Sequence, residues 1–218
     1  MNLTESLRHS AGPLWERVVA HPFVVELGDG TLPPDVFHVY FCQDYLFLKD
    51  WVSLMCSGVI RSPDFDSARP LAAFINLALG AEEGLFQRYF RDRGMSRQDV
   101  TALVHLPTGL AYTSFLRRIA AEGSFVEVIT TLLAIEWPYL EWGKRLAAAG
   151  KRPPNVHYQA WIDVHAGKEL DSFVSWMRGV LDSAVGADLS RLAELYRATL
   201  RYELMFWEMA YRGESWPG

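Results

Sequence analysis

The chain has 218 residues, half of them hydrophobic and 13% aromatic, and a net charge of −5. This composition excludes intrinsic disorder, supplies the core of one domain over residues 1–218, and offers no basic surface for nucleic acid. No apolar run approaches the roughly twenty residues that span a bilayer, and MNLTESLRHSAGPLWERVV has neither the basic start nor the apolar centre of a signal peptide.

Helical patterns fill the sequence. Thr4 is read as the cap of a first helix running to about Ala20, stopped by His21-Pro22. LGDGTLPPD then makes a tight turn whose prolines suit a helix entry. Asp35 to about Arg61 reads as a long helix, apolar enough to predict a place in the centre of a bundle. Asp66 to about Gly94 follows, and Ser96 caps a short turn. Thr108–Glu122 is closed by Gly123, and Ser124 to about Ala149 contains Pro138, which removes a backbone hydrogen bond and predicts a kink. After a Pro-rich link, Lys151–Asn155, come Val156–Ala166, Lys168–Ser183 and Leu189–Arg212. No alternating strand pattern or internal repeat occurs, so the expected fold is all-α.

Several acids stand inside apolar helical sequence. Glu203 lies in RYELMFWEMAY, where helical spacing sets Phe206, Trp207 and Tyr211 on or beside its face. Asp44 lies in YFCQDYLFL, Glu136 in LLAIEWPYLEWG, and Glu82 or Glu83 is a further, less distinct candidate. A buried carboxyl needs a partner or keeps its proton. Any one of these acids fits a structural role, but several acids among tyrosines such as Tyr112 and Tyr139 suggest a flat, electron-poor, amine-bearing ligand. Carboxylates pair with amino groups and protonated ring nitrogens while aromatic rings stack.

Metal and nucleophile chemistries find less support. The residues three after Glu82, Glu83, Glu136 and Glu203 are Leu85, Phe86, Tyr139 and Phe206, so no Glu-x-x-His pair exists for a di-iron bundle. His157 and His165 have no acid at ligand spacing, and His21 is expected to pack at a helix end. No metal is expected. No phosphate loop, dinucleotide fingerprint or nucleophile elbow is present. Cys42 and Cys56, fourteen residues apart, would lie about 21 Å from one another on one helix, too far to bridge, and a reducing cytoplasm is the expected compartment. Cys56 is read as a buried, inert small hydrophobe.

HPFVVELGDGTLP, YFCQDYLFL, AYTSF, LLAIEWPYLEWG and RYELMFWEMAYRGESW, in this order, resemble the TenA (thiaminase II) family over nearly the whole chain. The resemblance implies a haem-oxygenase-like helical fold, a homo-oligomer (usually a tetramer), no cofactor and no metal. It also implies a substrate that is a 4-amino-2-methylpyrimidine with a leaving group on the 5-methylene, converted to hydroxymethylpyrimidine for thiamin salvage. By position, Asp44 matches the pyrimidine-binding acid and Glu203 the acid that protonates the ring. Tyr112 and Tyr139 match pocket tyrosines, Phe47 a stacking aromatic, and His165 stands where a tyrosine is common. Ile135 replaces the cysteine nucleophile of one branch, and Glu136 beside it resembles the branch in which a glutamate substitutes. Without that thiol, Glu136, Asp44 and Glu203 are the expected acid–base groups for hydrolysing the 5-aminomethyl pyrimidine or its N-formyl derivative. The rival readings are a non-catalytic pyrimidine-binding protein and an oxygenase on the same fold.

Overall fold

The computed structural model describes residues 2–217, and among them twelve α-helices and one π-helical turn occur without any strand. The expected first helix is two: α1 (Leu3–Ala11) and α2 (Pro13–Val19). Gly12, with a φ of 54°, turns the chain between them, and Pro13 starts the second. The cap of α1 is Asn2, whose side chain accepts from the Glu5 N–H. Thr4 lies inside the helix, where its backbone N–H (2.8 Å) and hydroxyl (3.2 Å) donate to Asp182.

His21-Pro22 does more than stop a helix. It opens α3 (Pro22–Asp29), an element that the helix pattern did not predict. Pro22 takes the first helical position, where its missing N–H costs nothing, and the His21 ring nitrogen Nδ1 accepts from the Phe23 N–H at 3.1 Å. Gly30, at a φ of 73°, closes α3 in the left-handed region.

The long helix α4 (Pro34–Arg61) has the expected extent. The predicted Asp66–Gly94 helix is capped by Asp64 and divides into α5 (Phe65–Leu77), a π turn over Ala78–Glu82, and α6 (Glu83–Asp92). Ser96 and Asp99 form a reciprocal capping box on α7 (Arg97–Thr101). α8 (Pro107–Glu122) precedes α9 (Phe125–Ala148), which begins with a second such box, Ser124 with Glu127. The remaining helices are α10 (Val156–His165), α11 (Lys168–Asp182) and α12 (Leu189–Arg212).

The most enclosed helix is α9 rather than α4. Every residue from Val128 to Leu140 is buried, with α4, α10, α11 and α12 packed around it. Thr130 and Thr131 enter this core because their hydroxyls donate to the Val126 and Glu127 carbonyls at 2.8 and 2.9 Å. α9 remains one helix across Pro138, whose missing N–H leaves the Ala134 carbonyl without its helical donor.

α4 is fastened to the α7–α8 side by two side chains. Gln43 donates to the Val104 carbonyl at 2.9 Å and accepts from the Leu106 N–H at 2.8 Å. Buried Asp50 takes both arms of Arg117 at 2.7 and 2.8 Å, a bidentate geometry that fixes α4 against α8. Together these contacts set the register of the helices whose inner faces carry the acids.

Candidate active site

The inner faces of α4, α5, α8, α9, α10, α11 and α12, with the π turn, surround a cavity of about 290 Å³. All seven residues singled out from the sequence line it: Asp44 and Phe47 from α4, Tyr112 from α8, Glu136 and Tyr139 from α9, His165 from α10, and Glu203 from α12. Five helices from α4 to α12 thus bring these side chains to one space. Glu82, left undecided against Glu83 in the sequence, also lines it.

The wall is aromatic. The Phe47 and Tyr112 rings lie 4.9 Å apart, and Phe206 stands 5.7 Å from Phe47. Trp51, Phe74 and Trp161 complete the aromatic lining. These three were missed because a tryptophan or phenylalanine in a helix reads as core wherever it falls; no local signal separates a cavity wall from a packed interior. Phe206 had such a signal, its place one turn from Glu203.

Glu203 is 2% exposed, and its Oε1 accepts a short hydrogen bond from the Tyr112 hydroxyl. Burial raises this carboxyl to about 8, with the Tyr112 bond working in the opposite direction. The carboxyl therefore carries a proton over most of the neutral range and has an anchored orientation. Burial also lifts Asp44 and Glu136 well above the usual carboxylate range, and the neighbouring Glu82 and Glu203 charges add to the effect in both. The Trp51 indole eases Glu136 toward ionisation without reaching hydrogen-bond geometry. Glu82 is raised by burial to about 7. Like charges in one apolar space cannot all form, so these groups titrate as a set.

His165 is buried, and its Nδ1 lies 2.7 Å from the Trp161 carbonyl oxygen. That carbonyl can only accept, so Nδ1 bears the proton and Nε2 presents a lone pair. Burial lowers the imidazole to about 4, which keeps it neutral. The Tyr139 hydroxyl is 3.1 Å from that of Tyr40, and burial with the surrounding acids keeps both phenols protonated.

No cysteine lines the cavity. Ile135 does, at the position expected to lack the thiol. Cys56 is exposed rather than buried, because it falls on the outward side of α4. Cys42 is buried next to His38, its thiol pushed up to about 11 by burial. Among the described residues no three His, Cys, Asp or Glu side chains gather in metal-binding geometry, and no helix is long and apolar enough to cross a membrane.

The chain is similar to a protein of Halalkalibacterium halodurans named aminopyrimidine aminohydrolase, 30% identical and aligned over 99% of this chain and 98% of that one. A solved structure described as a TenA homologue from P. horikoshii OT3 superposes with a TM-score of 0.89 at 26% identity, covering 98% of this chain and all of the other. A Shewanella denitrificans domain described as having a haem-oxygenase-like fold matches at a TM-score of 0.76 and 16% identity, over 98% and 93% of the two chains; this likeness concerns the fold alone. The fold is thus the all-α, haem-oxygenase-like one expected. The TENA/THI-4/PQQC family model matches residues 8–213, the span that carries every acid and aromatic of the cavity, and the chain belongs to that family.

Proposed function

We propose that this protein is a hydrolase of thiamin salvage, acting on 5-aminomethyl-4-amino-2-methylpyrimidine or its N-formyl derivative to release hydroxymethylpyrimidine. The observation that carries the reading is the meeting of Asp44, Glu136 and Glu203 in one aromatic-walled cavity. The near full-length similarity to a protein named aminopyrimidine aminohydrolase supports it. At about 290 Å³ the cavity is at the small end of ligand sites, which suits one substituted ring better than two linked rings.

In this reading Phe47 stacks on the pyrimidine, Asp44 pairs with its amino edge, and Glu203, oriented by Tyr112, gives its proton to a ring nitrogen. Tyr139 and the His165 Nε2 lone pair complete the polar contacts. Glu136 takes the base role for water, and the proton that burial keeps on it has a physical consequence. It must leave when the substrate arrives, so catalysis requires a ligand that stabilises carboxylate charge. The protonated amine departs as ammonia while the 4-amino group pushes electrons into the ring, and the methide-like ring takes up water at the 5-methylene. The N-formyl derivative first loses formate by water attack at its formyl carbon, and the amine so released follows the same route. Neither substrate's hydrolysis uses a thiol.

An activity panel over thiamin, aminomethylpyrimidine and formylaminomethylpyrimidine, read by chromatography of the released pyrimidine, tests the proposal. Release from the second or third, with slow or no thiamin cleavage, is expected. Binding of all three without turnover would instead favour a non-catalytic pyrimidine-binding protein.

A further inference from the structure

The cavity lining includes six acids, Asp44, Glu82, Glu136, Asp163, Glu169 and Glu203, and no lysine or arginine. Asp163 and Glu169 are exposed, whereas the other four lie deeper. Two buried indoles of the same wall, Trp51 and Trp161, carry N–H groups without a hydrogen-bond partner. Among the described residues only the exposed Asp163 of the six acids pairs with a cation, Arg152 at 3.7 Å. An apolar cleft whose ionisable side chains can carry only negative charge favours a positively charged ligand.

Glu82 is set apart from the acids assigned above. It ends the π turn that interrupts the α5–α6 run. A π turn takes one more residue per turn than an α turn, and the extra residue swings Glu82 back toward the side of Phe74 and Leu77, which also line the cavity. The Glu82 charge acts on Asp44 and Glu136, whereas Glu203 responds to burial and Tyr112. Glu82 therefore shares the cavity with Asp44 and Glu136 and influences both. Burial holds it near 7, below the value of about 8 for Glu203.

We propose that Glu82 is a specificity-determining residue whose carboxylate holds a protonated amine of the ligand, selecting cationic over neutral aminopyrimidines. The inference rests on the function proposed above for the identity of the ring, but not for the charge. It gives the site a direction: the 5-aminomethyl ammonium binds to Glu82, its C–N bond breaks with ammonia leaving, water bonds to the methylene and gives up a proton to solvent, and the neutral hydroxymethyl product is one that Glu82 no longer retains.

Calorimetric titration of the full chain at neutral pH, with 5-aminomethyl- and 5-hydroxymethyl-4-amino-2-methylpyrimidine, isolates one substituent on the same ring. Charge-assisted bonds correspond to about tenfold or more in affinity. The wild type should favour the amine by about that factor, using Glu136→Gln protein where turnover interferes. Glu82→Gln should lose that preference, with affinity for the alcohol unchanged within about twofold, and Glu82→Asp should regain part of it. Equal affinities in the wild type, or a parallel loss of both ligands in a folded Glu82→Gln, overturns the assignment. If neither pyrimidine binds the wild type, the proposed function falls and benzylamine against benzyl alcohol carries the same comparison. No preference for benzylamine then overturns the role of Glu82 independently.

Discussion

Glu203 shows how a single carboxyl is prepared for acid chemistry. Enclosure among aromatics raises it to about 8, and the Tyr112 hydroxyl fixes its direction. Glu203→Gln keeps the shape and an acceptor for Tyr112 but removes the transferable proton. Turnover of aminomethylpyrimidine should fall about 10²- to 10⁴-fold, the usual size of a general acid–base contribution, with the melting temperature held or raised. Turnover equal to wild type at matched folding would remove Glu203 from the chemistry. The thiols are expected to behave oppositely. Cys56 is exposed on the outside of α4 and Cys42 lies against His38, so the double replacement Cys42→Ala, Cys56→Ala should keep hydrolysis within a few-fold of wild type. A mass adduct trapped on either sulfur during turnover would show that the acids have been given the wrong role. At this scale the sequence was informative. Asp44, Glu136 and Glu203 stood out because each interrupts an apolar helix, whereas Glu82 and Glu83, adjacent acids in an exposed helical stretch, could be told apart only by the π turn.

At the scale of elements, the site depends on how closely α10 approaches α9. A Cβ built at Gly143 would come within 2.6 Å of the His165 carbonyl carbon and 2.8 Å of its oxygen. These are backbone atoms and cannot rotate away. Gly143→Ala should therefore push the end of α10, with His165, out from α9. Overpacking of this kind costs about 1–3 kcal/mol, seen as a lower melting temperature, and pyrimidine affinity should fall with it. Gly179→Ala, at a position with open space around it, is the matched control and should do neither. Wild-type melting and binding in Gly143→Ala would mean that α10 is free to shift. The helix ends were partly legible, since Ser96 and Ser124 announce capping boxes in their spacing to Asp99 and Glu127. The split at Gly12-Pro13 and the helix after His21 were not. A proline that ends one helix looks the same in sequence as a proline that begins the next.

For the whole molecule, the buried acids make stability depend on pH in a defined direction. The folded Glu203 is raised to about 8 from a reference of 4.5. Its contribution is therefore full below the unfolded value and lost as pH rises through about 8. His165 works the other way: lowered to about 4 from 6.5, it contributes fully above 6.5 and loses that contribution as pH falls toward 4. The two trends leave a window between about 6.5 and 8 in which acidification relieves Glu203 without yet charging the unfolded His165. The melting temperature should rise as pH is lowered across that window, and Glu203→Gln should flatten the rise. A melting temperature that climbs with pH there, or an unchanged slope in the variant, would mean that Glu203 is ionised in the folded protein.

Residue order alone determined the helical class, because apolar spacing near 3.6 is a property of each segment by itself. It also singled out Asp44, Glu136 and Glu203, because a carboxyl in an apolar stretch is conspicuous wherever the stretch packs. It could not determine that α9 rather than α4 lies innermost, which depends on which neighbours cover each face. Nor could it choose Glu82 over Glu83, or show that the cavity is lined by acids and by no lysine or arginine. Those are properties of a space bordered by seven helices and a π turn, and its walls meet only after α4, α5, α8, α9, α10, α11 and α12 have packed.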